Sequence, residues 1–169
     1  MAVSSSLQVA FNRHINAEFY SSYLYLSMST YCDSIDLPGF SHWMRIQSQE
    51  EYDHAMRILT YLEDRDGRVT LLPIEQPAIE FDSVEDVMRQ TLGHEQHVTQ
   101  LINELYAVAA ESADFASQVM LQWFVNEQVE EEKTARDVIA ALDKVAGRSD
   151  ALLLLDREMA ARVPTPAAA

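Results

Sequence analysis

Glu18, Glu51, His54, Glu95, Gln128 and Glu131 stand in the middle of four stripes that otherwise read as helix core. Steps of three and four residues keep side chains on one face of a helix. The first stripe is Phe11, Ile15, Glu18, Ser22, Tyr25, and the second is Met44, Gln47, Glu51, His54, Ile58, Tyr61. The third is Val84, Met88, Thr91, Glu95, Val98, Ile102, Leu105, and the fourth is Leu121, Phe124, Gln128, Glu131, Ala135, Val138, Leu142. A carboxylate buried alone in its charged form costs several kcal/mol, so it neutralises, pairs or binds a metal. Four helices that each place such a group mid-stripe imply a shared centre. A cation is the simplest occupant.

The ligand types narrow the cation. Carboxylates with one imidazole and no thiolate suit Fe(II), Mn(II) or Zn(II) rather than Cu(I) or an iron–sulfur cluster. Glu51 and Glu131 can each bridge two ions or serve one. Two redox metals about 3.5–4 Å apart can pass electrons jointly to dioxygen. Glu50, Glu127 and Glu130 are turned away from the seam, since adjacent helix positions differ by about 100°. They read either as a third, more exposed metal site or as part of a solvated charge run, Glu127 to Lys133. Tyr25, seven residues after Glu18, is either a redox-active phenol or a hydrogen-bonded core tyrosine. His14, His42, His94 and His97 fall off the seam and receive no role, and Trp123 reads as packing. Singly, Glu18 or Glu95 could pair with a core base, and His54 could be a satisfied core histidine. Together they outnumber the basic residues placed to neutralise them.

Positioning these groups requires long helices. The pattern predicts an all-α chain with helices over about 5–33, 40–66, 83–111, 114–146 and 149–162, and a disordered tail at 163–169. Gly67 and Gly147 are expected to stop the second and fourth helices, and Ser83 and Ser149 to cap the third and fifth. The stretch Gly67 to Asp82 has neither period; extended, it spans about 50 Å. A helix of ~27 residues is about 40 Å long, so this stretch can run the length of a bundle. The second and third helices are then parallel, giving a four-helix bundle with one crossover. Glu95 and the pair Gln128/Glu131 fall at equal depth, roughly 25 Å from the turn between their helices.

Composition excludes other classes. The 169 residues carry 27 acidic and 12 basic side chains, a formal net charge of −15 that disfavours phosphate-backbone binding and attracts cations. No nucleic-acid partner is expected. No apolar run approaches the ~20 residues of a membrane span, so no membrane partner is expected either. Met1 to Ser6 shows no secretory pattern, and the single Cys32 fits a reducing compartment, which together predict a cytoplasmic location. Cys32 itself reads as a small apolar residue near a helix end.

Four segments carry a resemblance: Asn16 to Tyr25 (NAEFYSSYLY), Glu50 to Ala55 (EEYDHA), His94 to Gln96, and Gln122 to Glu132 (QWFVNEQVEEE). In their order and setting the chain resembles a prokaryotic, non-haem ferritin, from about Leu7 to Arg162. The resemblance implies a ferritin-like bundle with a short fifth helix and a ferroxidase centre, with Glu18, Glu51 and His54 on one iron. Glu51, Glu95 and Glu131 would hold the second, with Gln128 close by. Glu50, Glu127 and Glu130 match a third iron site, and Tyr25 a tyrosine near the centre. It further implies oxidation of Fe(II) by dioxygen or peroxide, and a homo-oligomer of 24 subunits storing ferric oxide.

Departures set other relatives aside. A bacterioferritin would carry a second Glu-x-x-His where this chain has Gln128-x-x-Glu131, and a haem-ligating methionine where it has Tyr52, so no haem is expected. A DNA-protecting mini-ferritin builds its site between subunits, whereas the ligand set here is complete on one chain. A di-iron oxygenase or rubrerythrin-like peroxidase would need a substrate pocket or a cysteine-rich iron site. A non-catalytic acidic scaffold is the remaining alternative.

Overall fold

Apolar stripes on long helices can be buried only against one another, and the chain does this in a bundle. The structure, a computed structural model, describes residues 3–164. Its helices are α1 (Ser5–Ser34), α2 (Pro38–Asp64), α3 (Val84–Glu111), α4 (Phe115–Val145) and α5 (Ser149–Met159), with no strand among the described residues. From residue 165 on, the expected disordered tail lies outside them. Side-chain pairs fix the directions. Ser22–Ser48 and Ser29–Ser41 make α2 antiparallel to α1, Tyr25–Glu95 and Met28–Thr91 make α3 antiparallel to α1, and Glu95–Gln128 and Arg89–Asp143 make α4 antiparallel to α3. Helices α2 and α3 are therefore parallel, as the crossover requires. No helix among the described residues is long and apolar enough to cross a membrane.

Helix ends follow local chemistry, with three departures from expectation. Helix α2 begins at Pro38, where the missing N–H costs nothing at a first-turn position. It ends at Asp64, and the left-handed residue that turns the chain is Asp66 (φ 55°), not Gly67. Ser149 is the first residue of α5 rather than its cap; that place belongs to Arg148, which makes no side-chain cap, and the helix stops at Met159. Ser83 caps α3 as expected, accepting from the Asp86 N–H, and Asp114 caps α4 through the Ser117 N–H. Gly147 (φ 73°) follows the end of α4, a conformation that needs no Cβ.

The crossover is held by a polar ladder on α1. Gln8 accepts from the Arg68 N–H, Asn12 bonds the Arg68 carbonyl and the Thr70 N–H, Asn16 donates to the Leu72 and Pro73 carbonyls, and Ser27 donates to that of Ala78. Gln8 to Ser27 is about 29 Å of helix and 68–78 about 33 Å of extended chain, so the two run in step.

Helix α5 closes one end against α2 and α4. Buried Asp156 accepts the Phe40 N–H at 2.9 Å, which caps α2 from a distant element where Leu37 offers no side chain. Gly39 lets the backbones approach: a Cβ there would lie 1.7 Å from the Asp156 carbonyl oxygen. Leu155 joins the core, while Leu153 and Leu154 stay exposed.

The core has two apolar layers. One, on the α5 side, contains Met28, Phe40, Met44, Met88 and Leu142; the other contains Phe11, Ile15, Ile58, Ile102 and Phe124. Each such side chain contributes about 1.5–3 kcal/mol on burial. Between the layers lies a polar one.

Candidate metal centre

That polar layer holds the residues singled out above. Glu18, Glu51, His54, Glu95, Gln128 and Glu131 are all buried, one or two from each of α1 to α4. Of the stripe positions, Ser22 departs: Ser21 faces the interior instead, and half-buried Ser22 exchanges hydroxyl–carbonyl hydrogen bonds of 2.7 Å with Ser48.

One oxygen or nitrogen each of Glu18, Glu51 and His54 lie within 4.8 Å of one another. Atoms bound about 2.1 Å from one ion are at most about 4.2 Å apart, so a small side-chain closure would let these three hold one ion. His54 Nδ1 lies 3.4 Å from Glu51 Oε2. On the α3/α4 side Gln128 Nε2 donates to Glu95 Oε2 at 3.1 Å, and the Tyr25 hydroxyl donates to Glu95 Oε1. Gln47 links the halves, donating to Glu131 Oε2 at 2.7 Å and Glu51 Oε1 at 3.2 Å. Among the described residues, Glu18 Oε2 and Gln47 Oε1 are buried with no hydrogen-bond partner.

Burial and mutual repulsion decide the protonation. Burial pushes the Glu51 carboxyl up to about 8, with the neighbouring Glu18 and Glu131 adding to it. Glu95 is pushed up to about 8 by burial and Glu51, and Glu131 to about 8 by burial and Glu95. Burial works upward on Glu18 too, but the His14 imidazole outweighs it and holds the carboxyl down at about 2. For His54 burial works downward, yet the hydrogen bond and charge of Glu51 outweigh it and raise the imidazole to about 10. Near neutral pH the layer therefore holds an ionised Glu18 and shares protons among His54, Glu51, Glu95 and Glu131. Burial, then Glu95, pushes the Tyr25 phenol well above its ordinary value, so it stays a donor.

The three outer acids are graded in exposure: Glu50 is buried, Glu127 half-buried and Glu130 exposed. Burial, with Glu130 and Glu50 nearby, raises the Glu127 carboxyl, while His54 and Arg57 work against it. Glu50 is engaged by Arg162, whose Nη2 donates to Glu50 Oε2 at 2.5 Å while its guanidinium lies over the Trp43 ring.

Several neighbours had no assigned role in the sequence. His14 is a correction: it is buried, with Nε2 2.7 Å from Glu18 Oε1, and its spacing of four from Glu18 is the signal that could have placed it. His94 packs between the Tyr20 and Tyr25 rings and bonds the Ser21 hydroxyl; burial, aided by His97, lowers it to about 4. His42 is exposed and bonds the Arg162 carbonyl. Trp123 meets His54 edge-on at 5.3 Å with the Arg57 guanidinium over its ring, packing as expected but directly against the site.

Comparison with known proteins agrees with this geometry. Residues 8–145 match the model of the family described as Ferritin, ferritin-like domain. The chain is 34% identical over 160 residues to a bacterial non-heme ferritin of Staphylococcus epidermidis, covering 95% of this chain and 96% of that protein. It is 34% identical over 157 residues to a probable bacterial non-heme ferritin-like protein of Haemophilus influenzae, covering 93% and 95%. Among solved structures, an engineered closed form of the Archaeoglobus fulgidus ferritin superposes with a TM-score of 0.95 at 46% identity, over 97% of this chain and all (100%) of that one. The open-pore ferritin of the same archaeon gives 0.94 at 46%, over 95% and 98%. With four helices converging on buried carboxylates, and matches along nearly its whole length, this chain belongs to the ferritin family of iron-storage proteins.

Proposed function

We propose that the chain oxidises Fe(II) at an intra-subunit di-iron ferroxidase centre and stores the product as ferric oxide inside a homo-oligomeric shell of 24 subunits. Glu18, Glu51 and His54 take one ion; Glu51, Glu95 and Glu131 take the other, with Gln128 beside it. The observation that carries this reading is the buried layer itself, four carboxylates from four helices with one oxygen of Glu18 unpartnered. Two divalent ions would balance the charge of Glu18, Glu51, Glu95 and Glu131 once their protons leave. The layer is then neutral with metal bound, which makes its burial tolerable.

Each Fe(II) gives up one electron. Two electrons and two protons reduce dioxygen to hydrogen peroxide, or reduce peroxide to water. The Glu carboxylates adjust to the higher charge of Fe(III), and Tyr25, hydrogen-bonded to Glu95, is placed to hold a proton or supply an electron at the second ion. Glu50, Glu127 and Glu130 form a third, more exchangeable iron site, with Arg162 as the cation that holds Glu50 in the metal-free chain. Tyr52 at the position after Glu51 gives no thioether for haem. The location that fits is the cytoplasm.

Stopped-flow mixing of metal-free protein with Fe(II) and air tests the centre. A fast phase of two ions per chain is expected, lost in His54→Ala and Glu51→Ala with helical content retained. Unchanged kinetics in both variants would contradict it.

A further inference from the structure

His14 sits one helical turn before Glu18 and is 3% exposed, as enclosed as the ligands themselves. Its Nε2 lies 2.7 Å from Glu18 Oε1. A carboxylate that ligates a metal can only accept at its other oxygen, so Nε2 then carries the hydrogen and donates it. The other oxygen, Oε2, is buried without a partner among the described residues. Leaving such an atom unpaired is costly, and binding an ion at Oε2 would remove that cost. One oxygen is anchored and the other is kept for something else.

We propose that His14 is a positioning residue of the metal centre: its Nε2–H clamps Oε1 so that Glu18 presents Oε2 to the first ion. The inference rests on the di-iron reading and adds a member to it. A free glutamate loses rotamer entropy when it is fixed. The clamp, spaced i to i+4 on one helix face, makes that loss before the ion arrives, so more of the binding energy appears as affinity. Partners that orient metal ligands in this way change affinity by about 10–100-fold when removed.

Anaerobic Co(II) titration of the metal-free protein, read from the visible d–d bands, tests the role. His14→Leu keeps bulk but has no donor, and His14→Gln keeps a donor. We expect His14→Leu to weaken the first Co(II) by about 10–100-fold and to change the intensity of its bands, which reports coordination number. His14→Gln should restore most of both, with the helical circular dichroism of all variants alike. Should leucine block folding, His14→Ala removes the donor without adding bulk, and the same comparison applies. Wild-type affinity in the donor-less variant, or a His14→Gln protein as weak as it, overturns the role of His14 alone. A Glu18→Ala protein that binds the first Co(II) as tightly as wild type overturns the ligand reading of Glu18, and the clamp with it.

Discussion

The side chains of the buried polar layer hold protons that bound metal would have to displace. Glu51, Glu95 and Glu131 are raised to about 8 and His54 to about 10, so two divalent ions must displace those protons to bind. Anaerobic binding of two Zn(II) per chain at pH 7 should release roughly two to four protons, measured with an indicator dye. Release of fewer than about two would mean that the carboxyls are already ionised. The same shifts set the pH dependence of stability. A folded chain that holds protons the unfolded chain would release loses that stabilisation as pH rises through the folded pKa. The metal-free melting temperature should therefore fall between pH 5 and pH 8, and bound Zn(II) should abolish the fall. Glu18 has the opposite sign, contributing stability above its ordinary 4.5 that disappears only toward pH 2. The buried polar positions were legible because each breaks an apolar stripe. His14 was passed over, although its spacing of four from Glu18 puts the two on one helix face.

Among the elements, α1 and α5 do more than their sequences announce. The stripes of α2, α3 and α4 were readable from period alone, because nearly every apolar position in them is buried. The ladder Gln8, Asn12, Asn16 and Ser27 was not, since its partners are backbone groups of a loop without period. Nor was the capping of α2 by Asp156, 116 residues away from Phe40. Asp156→Ala should cost about 1 kcal/mol as a lost cap. Gly39→Ala should cost more, at least the 1–3 kcal/mol or so of an overpacked contact, because its Cβ would meet backbone rather than a flexible side chain. Chemical denaturation checks both. A Gly39→Ala protein as stable as wild type would show that α5 does not press on α2. Arg162→Ala should loosen the end of α5 in hydrogen exchange and remove one cation that competes for Glu50, seen as tighter binding of a third Co(II) with the first two unchanged.

At the scale of the molecule, two apolar layers carry the stability and let a polar layer sit between them. The crossover was foreseeable from a length argument, 16 residues being enough to traverse the bundle. Exposed Leu71, Ile79, Leu153 and Leu154 lie on the loop and α5, surfaces that assembly into a shell would cover. Sedimentation in physiological salt should show a particle far larger than a dimer; a monomer would contradict the shell. The central claim is that four helices of one chain hold two irons. Crystals soaked in Fe(II) and measured at the iron absorption edge test it most directly. The account predicts two anomalous peaks within one subunit, one among Glu18, Glu51 and His54 and one among Glu51, Glu95 and Glu131. Iron found only on the outer acids Glu50, Glu127 and Glu130, or between subunits, with the buried layer empty at every soak time, would contradict it.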